Sequence, residues 1–167
     1  MYNLYTIFML SPCVILCTIK ERMMTMYYGH ENSDKIHAVN HIYEGINTPD
    51  DLYNALMNVW CEYSCTPRLR TQWTRNNITL GQCSITAFLA QDIFGGKVFG
   101  ILMPEGNYHC YNVVDDIVFD LTSEQFNGEE LNYANNPEQS REIHFSRPDK
   151  YERYEYIKKE LMKFSAR

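Results

Sequence analysis

Thr79-Leu80-Gly81-Gln82-Cys83-Ser84-Ile85-Thr86-Ala87-Phe88-Leu89 reads as a loop turning into an amphipathic helix, with Cys83 in the first turn. Free backbone N–H groups and the positive end of the helix macrodipole meet there, which lowers a thiol pKa and favours thiolate. Ile85, Phe88, Leu89 and Ile93 form the inward stripe, and Gly95-Gly96 stops the helix. Downstream stand His109 and Asp120, giving the order thiol, imidazole, carboxylate. That order points to a cysteine nucleophile with an oriented base.

Three strand-like runs follow the helix: Lys97–Met103, Tyr108–Val114 and Ile117–Leu121. Pro104-Glu105-Gly106-Asn107 is a turn between the first two, and Asp115-Asp116 a tight connection between the last two. With a two-residue turn, Val114 pairs with Ile117, Val113 with Val118 and Tyr111 with Asp120. Alternate residues share a face, so His109, Tyr111, Val113, Val118 and Asp120 point the same way. Asp120 is then the diagonal neighbour of His109, within side-chain reach. The same register sends Cys110 to the other face, away from the site, and so argues against a zinc centre of Cys83, His109 and Cys110.

Upstream, Thr48-Pro49-Asp50-Asp51 opens a helix with a hydroxyl cap, a proline in the first turn and two acids. Leu52, Ala55, Leu56, Val59, Trp60 and Tyr63 continue its apolar face until Pro67. Residues 64–80 read as a loop carrying Trp73. Residues 122–125 read as a short capped turn, 127–137 as loop, and Ile143-His144-Phe145 as a last short strand. Pro148 opens a C-terminal helix with Tyr154, Ile157, Leu161 and Phe164 on one face. Residues 27–47 have too weak a pattern for an assigned element.

The chain has 167 residues, 45% hydrophobic and 22% charged, which suits one domain with a sizeable core. Its 13 tyrosines point to a tightly packed α+β body or an aromatic groove. A net charge of −6 without a basic stripe argues against nucleic-acid binding. The six cysteines, at 13, 17, 61, 65, 83 and 110, show no disulfide framework. Cys61 and Cys65, one helical turn apart, read better as small hydrophobes than as a metal pair. Leu4 to Ile19 is mostly apolar, but it lacks the basic start of a secretory signal and the length of a spanning helix. Residues 1–47 are therefore expected to be an extension before a single domain over 48–167. Met23, Met24 and Met26 offer later starts. The expected location is the cytoplasm, with a secreted form, or attachment to a membrane through residues 4–19, as the alternatives.

Gln82 beside the nucleophile, with the N–H of Cys83, is the candidate oxyanion group. Trp73, Tyr111 and Asn112 are candidates for the substrate side. Each has a plainer reading: a helix-start Cys and a strand His are commonly structural, Asp120 can cap the next turn, Gln82 can pack locally, and large aromatics usually fill cores. The conjunction of the three ordered residues in register is what raises the catalytic reading above these.

Gly81-Gln82-Cys83, His109-Cys110-Tyr111-Asn112 and Asp120-Leu121-Thr122-Ser123-Glu124-Gln125-Phe126 fall in the order of the motifs of the YunG-like family of small bacterial proteins. The chain resembles that family over residues 48–127. The resemblance carries no assigned activity. More distantly, Cys on a helix, His on a strand and Asp on the next is similar to transglutaminase-like and NlpC-type members of the papain-like superfamily. It implies an α+β, papain-like core in which a central Cys-bearing helix packs on a small antiparallel sheet. An aromatic often found beside the family histidine is Cys110 here.

The expectation is a cysteine hydrolase or acyltransferase acting on a peptide, protein or small amide. Cys83 attacks, His109 moves the proton, Asp120 orients it, and no cofactor takes part. A non-catalytic papain-like domain that binds peptide or protein is the alternative. A metal site of Cys61, Cys65 and Cys83 is a third.

Overall fold

The computed structural model describes residues 26–165. Three antiparallel strands, β1 (Lys97–Leu102), β2 (Tyr108–Val114) and β3 (Ile117–Phe119), form a meander in the order β1-β2-β3. Asp115 and Asp116 both adopt left-handed φ, 47° and 64°, as a two-residue hairpin requires. Val114 pairs with Ile117 and Val113 with Val118, the register expected from the turn length. The chain is an α+β protein with four α-helices among the described residues: α1 (Pro49–Leu56), α2 (Cys83–Phe94), α3 (Arg141–Phe145) and α4 (Pro148–Ser165).

Helix α2 packs on the sheet face carrying Val98, Cys110, Asn112 and Phe119. Ile85, Leu89 and Ile93 are fully buried there, and Asn112 Nδ2 donates to Ala87 O at 2.8 Å. Helix α4 covers the other side of α2 with Tyr154, Ile157 and Leu161, while Phe164 is 40% exposed because the last turn outruns the core. Arg141 latches these layers together. Its Nη2 donates to Phe88 O at 2.9 Å and Asp92 Oδ1 at 2.7 Å, and its guanidinium lies over Phe88, Phe145 and Tyr154.

Three local expectations give way to tertiary packing. Helix α1 has the expected capping box at Thr48 and Asp51, but it ends at Leu56 rather than near Pro67. Asn58 Nδ2 takes the Asn54 carbonyl at 2.9 Å, and Trp60 Nε1 docks on Thr86 Oγ1 at 3.1 Å. Side-chain competition and that anchor unwind the remainder. Residues 67–72, expected as loop, make a 3-10 helix. Residues 143–145 are not a strand. They lie in α3, where Ser140 Oγ accepts the Ile143 N–H at 3.3 Å.

The neighbouring segment 137–139 instead stitches the free edge of β1, with Gly100 N donating to Pro137 O and Gln139 N to Val98 O, at 3.1 and 2.8 Å. Residues 27–47, the later part of the stretch expected to precede the domain, supply Tyr27, Ile36, Tyr43 and Ile46 to the core. Asp120 N donates to Tyr28 O at 2.9 Å, continuing the line of β3. The apolar run Leu4–Ile19 lies outside the described residues. No helix among the described residues is long and apolar enough to cross a membrane.

Candidate active site

Cys83 reaches its position through a turn that only glycine fits. Gly81 has φ +68°, and a Cβ there would lie 2.8 Å from Cys65 Sγ and 3.1 Å from Thr66 N. The chain reverses at this point, with Gln82 N donating to Thr79 O at 3.1 Å, and α2 begins at Cys83. Cys83, a partly exposed residue, lines a cleft of about 480 Å³ together with His109, Gln125 and Phe126.

His109 sits between the thiol and a carboxylate. Its Nε2–H donates to Asp120 Oδ2 at 2.5 Å, and both side chains are about 98% buried or more. Nδ1 has no hydrogen-bond partner among the described residues, and the Cys83 sulfur is close enough to raise the ring's pKa. Phe126 lies edge-on to the ring at 4.7 Å and fixes its plane. Asp120 is itself saturated: Thr122 N and Oγ1 each donate to Oδ1 at 3.0 Å, and Tyr133 donates to Oδ2 at 3.0 Å. Burial works against a charged ring, yet the Asp120 carboxylate and the Cys83 sulfur outweigh it and push His109 up to about 10. The Cys83 thiol is held well below its ordinary value by the Cys110 thiol first, against burial, and then by His109. The site therefore favours a thiolate–imidazolium pair.

Cys110 corrects an expectation. Its side chain does lie on the face opposite His109, but it does not point away from the site. β3 stops at Phe119, opposite Asn112, so β2 has an open edge over residues 108–111. Strand parity turns the Cys110 N–H toward that edge, where α2 begins. Sulfur at the edge meets both faces, and the thiol and N–H of Cys110 both favour the thiolate of Cys83. In return, the Cys110 thiol is raised well above its ordinary value by Cys83 and by burial.

The structure brings Cys83, His109 and Asp120 together and places the other candidates elsewhere. Gln82 is fully buried, with Nε2 donating to Cys61 O at 3.1 Å. Trp73 packs on the core and donates Nε1–H to Ile78 O at 3.0 Å. Tyr111 gives its hydroxyl to Tyr133 O at 2.8 Å, and Asn112 binds Ala87 O. None of these four lines the cleft. Their donor groups serve the fold because each finds an internal backbone carbonyl within reach, while Gln82 Oε1 has no partner among the described residues. Cys61, Cys65 and Cys83 form no metal-sized cluster, and no group of three His, Cys, Asp or Glu side chains does so among the described residues.

Sequence reasoning passed over Tyr133, and it placed Thr122 and Gln125 in a capped turn and a family motif but not in the site. Thr122, two residues after an aspartate, carried a signal: that spacing lets the carboxylate accept the N–H two residues on. Gln125 Oε1 accepts the Gly81 N–H at 3.3 Å and so ties the loop after Asp120 to the turn before Cys83.

No solved structure matches the chain. A stretch of 71 residues is 38% identical to a protein of Bacillus subtilis (strain 168) described as uncharacterized protein YunG, covering 42% of this chain and 56% of that one. The chain thus spans little more than half the length of that relative. Residues 48–166 match the YunG protein family, and the chain belongs to it.

Proposed function

We propose that this chain is a cysteine-nucleophile hydrolase or acyltransferase acting on an amide carbonyl of a peptide, protein or small molecule, with a papain-like or transglutaminase-like arrangement of its triad. The observation that carries the reading is His109, bonded to Asp120 through Nε2, left unpaired at Nδ1 among the described residues, and lining one cleft with Cys83. Cys83 thiolate attacks the carbonyl carbon, and the oxyanion formed is held by backbone N–H groups at the start of α2, which lack intrahelical acceptors. With its own amide committed to Cys61 O, Gln82 contributes the turn rather than the hole. Imidazolium His109 gives its proton to the leaving amine, the C–N bond breaks, and a thioester remains. Water or an amine then attacks that thioester, giving up its proton to His109 and releasing the thiolate. Asp120 keeps the ring in one orientation throughout.

Timed iodoacetamide labelling with peptide mapping tests this. Cys83 should label near pH 7 faster than the other five cysteines, and His109→Ala should slow it by about 10- to 100-fold. Equal labelling at all exposed thiols would instead favour a non-catalytic domain that binds peptide or protein in the same cleft.

A further inference from the structure

The cleft is charged against the grain of the chain. The whole sequence carries −6, yet among the described residues Arg68, Arg147, Lys150 and Arg153 line the cavity beside Cys83, against the two acids Glu105 and Glu129 in the same lining. Three of the four cations come from the start of α4 or the residue before it, where the helix dipole adds positive potential.

We propose that this wall receives an anionic group of the substrate, a carboxylate or a phosphate, next to the carbonyl that Cys83 attacks. The inference rests on the catalytic reading above for its carbonyl and on the wall alone for its anion.

Arg153 is the strongest sign of a missing acceptor. It is 3% exposed; Nη1 donates to Ser64 O at 3.1 Å, Nη2 lies 3.6 Å from Asp149 Oδ2, and Nε has no partner among the described residues. A buried guanidinium with an unmatched donor is costly, and its planar fork fits the paired oxygens of carboxylate or phosphate. Lys150 spends one of its three protons on His144 Nδ1 at 2.8 Å. Burial, then the charge of Lys150, depresses His144 to about 4, so this ring accepts and adds no competing cation near neutrality. The other Nζ protons are left for a ligand. Asp149 faces this group from α4, 3.4 Å from Arg147 Nε, and neutralises it in part. Lys150 and Arg153 both feel the charge of Cys83, so the wall and the nucleophile share one field.

That sharing offers a competing explanation, in which the cations only stabilise the thiolate. Two alkylating agents separate the cases, because both need the thiolate and only one is an anion. Iodoacetate and iodoacetamide each form an S–CH2 bond to Cys83 and expel iodide. The ratio of their rate constants at Cys83 should exceed that for a small free thiol by about tenfold. In Arg147→Gln and in Lys150→Gln the ratio should fall by about threefold each. A ratio equal to the free thiol, or unchanged in both variants, overturns the proposal and leaves thiolate stabilisation alone.

Slow, unselective iodoacetamide labelling would count against the nucleophile instead. The anion site keeps its own readout, which is thermal stabilisation of the Cys83→Ala protein at fixed ionic strength. Inorganic phosphate and an N-acetylated dipeptide with a free carboxylate should each be compared with the same dipeptide as its amide. Stabilisation by the phosphate identifies a phosphate site, stabilisation by the acid but not the amide identifies a carboxylate site, and no difference among the three sinks both.

Discussion

Tyr133 donates its hydroxyl to Asp120 Oδ2 at 3.0 Å, the same oxygen that accepts the His109 Nε2–H. Burial and the Asp120 charge raise the Tyr133 pKa, so the phenol stays a donor across the neutral range. Tyr133→Phe removes one bond from a buried carboxylate and should cost about 1–3 kcal/mol in urea unfolding. Labelling at Cys83 should slow only about threefold, because His109 and Thr122 still hold the carboxylate. A loss as large as that of Asp120→Asn would instead place Tyr133 in control of the ring.

The depressed Cys83 and raised His109 set a pH window. Thiolate is lost as pH falls through the lowered Cys83 value, well under its ordinary 9.0, and the imidazolium is lost as pH rises through about 10. Labelling by iodoacetamide should be nearly flat through neutrality and fall only in acid. Cys110→Ala withdraws the thiol that contributes most to the depression and should move the acid limb upward by about one pH unit. Cys110→Ser keeps a donor and should move it less. Coincident limbs in all three proteins would refute the role given to Cys110.

Gly81→Ala meets two obstacles at once: a left-handed φ and a Cβ 2.8 Å from Cys65 Sγ. Chemical denaturation should show a loss of about 2 kcal/mol or more. The start of α2 should shift with it, and Cys83 should lose its selective labelling before the protein unfolds.

At the hairpin the sign reverses. Asp116 holds φ 64°. Asp116→Gly relieves that conformation and one of two adjacent like charges, and should stabilise by about 0.5 kcal/mol. A lower melting temperature would mean that the Asp116 side chain, not its backbone, serves the turn.

The legible parts of this chain were those governed by a short period or a single torsional demand. Asp115-Asp116 announced a two-residue turn, and period-two alternation then put His109 and Asp120 on one face with no knowledge of the remaining fold. Thr48 and Pro49 announced the start of α1 in the same way. Its end was not legible, because Trp60 leaves the helix to find Thr86, a partner 26 positions on. Cys110 shows why face parity was insufficient. Alternation says which side a strand residue occupies, but it does not say that a helix end will sit at the sheet edge and touch both sides. Tyr133 and Arg153 reach the site from a loop and a late helix, at separations that no local pattern encodes.

Arg141 binds the far half of α2 while belonging to the short helix just ahead of α4. One guanidinium thereby ties α2, which begins at Cys83, to Tyr154 on the helix that carries Lys150 and Arg153. The angle at which the cation-bearing rod meets the cysteine-bearing one is thus held by a clasp one to three turns away from Cys83.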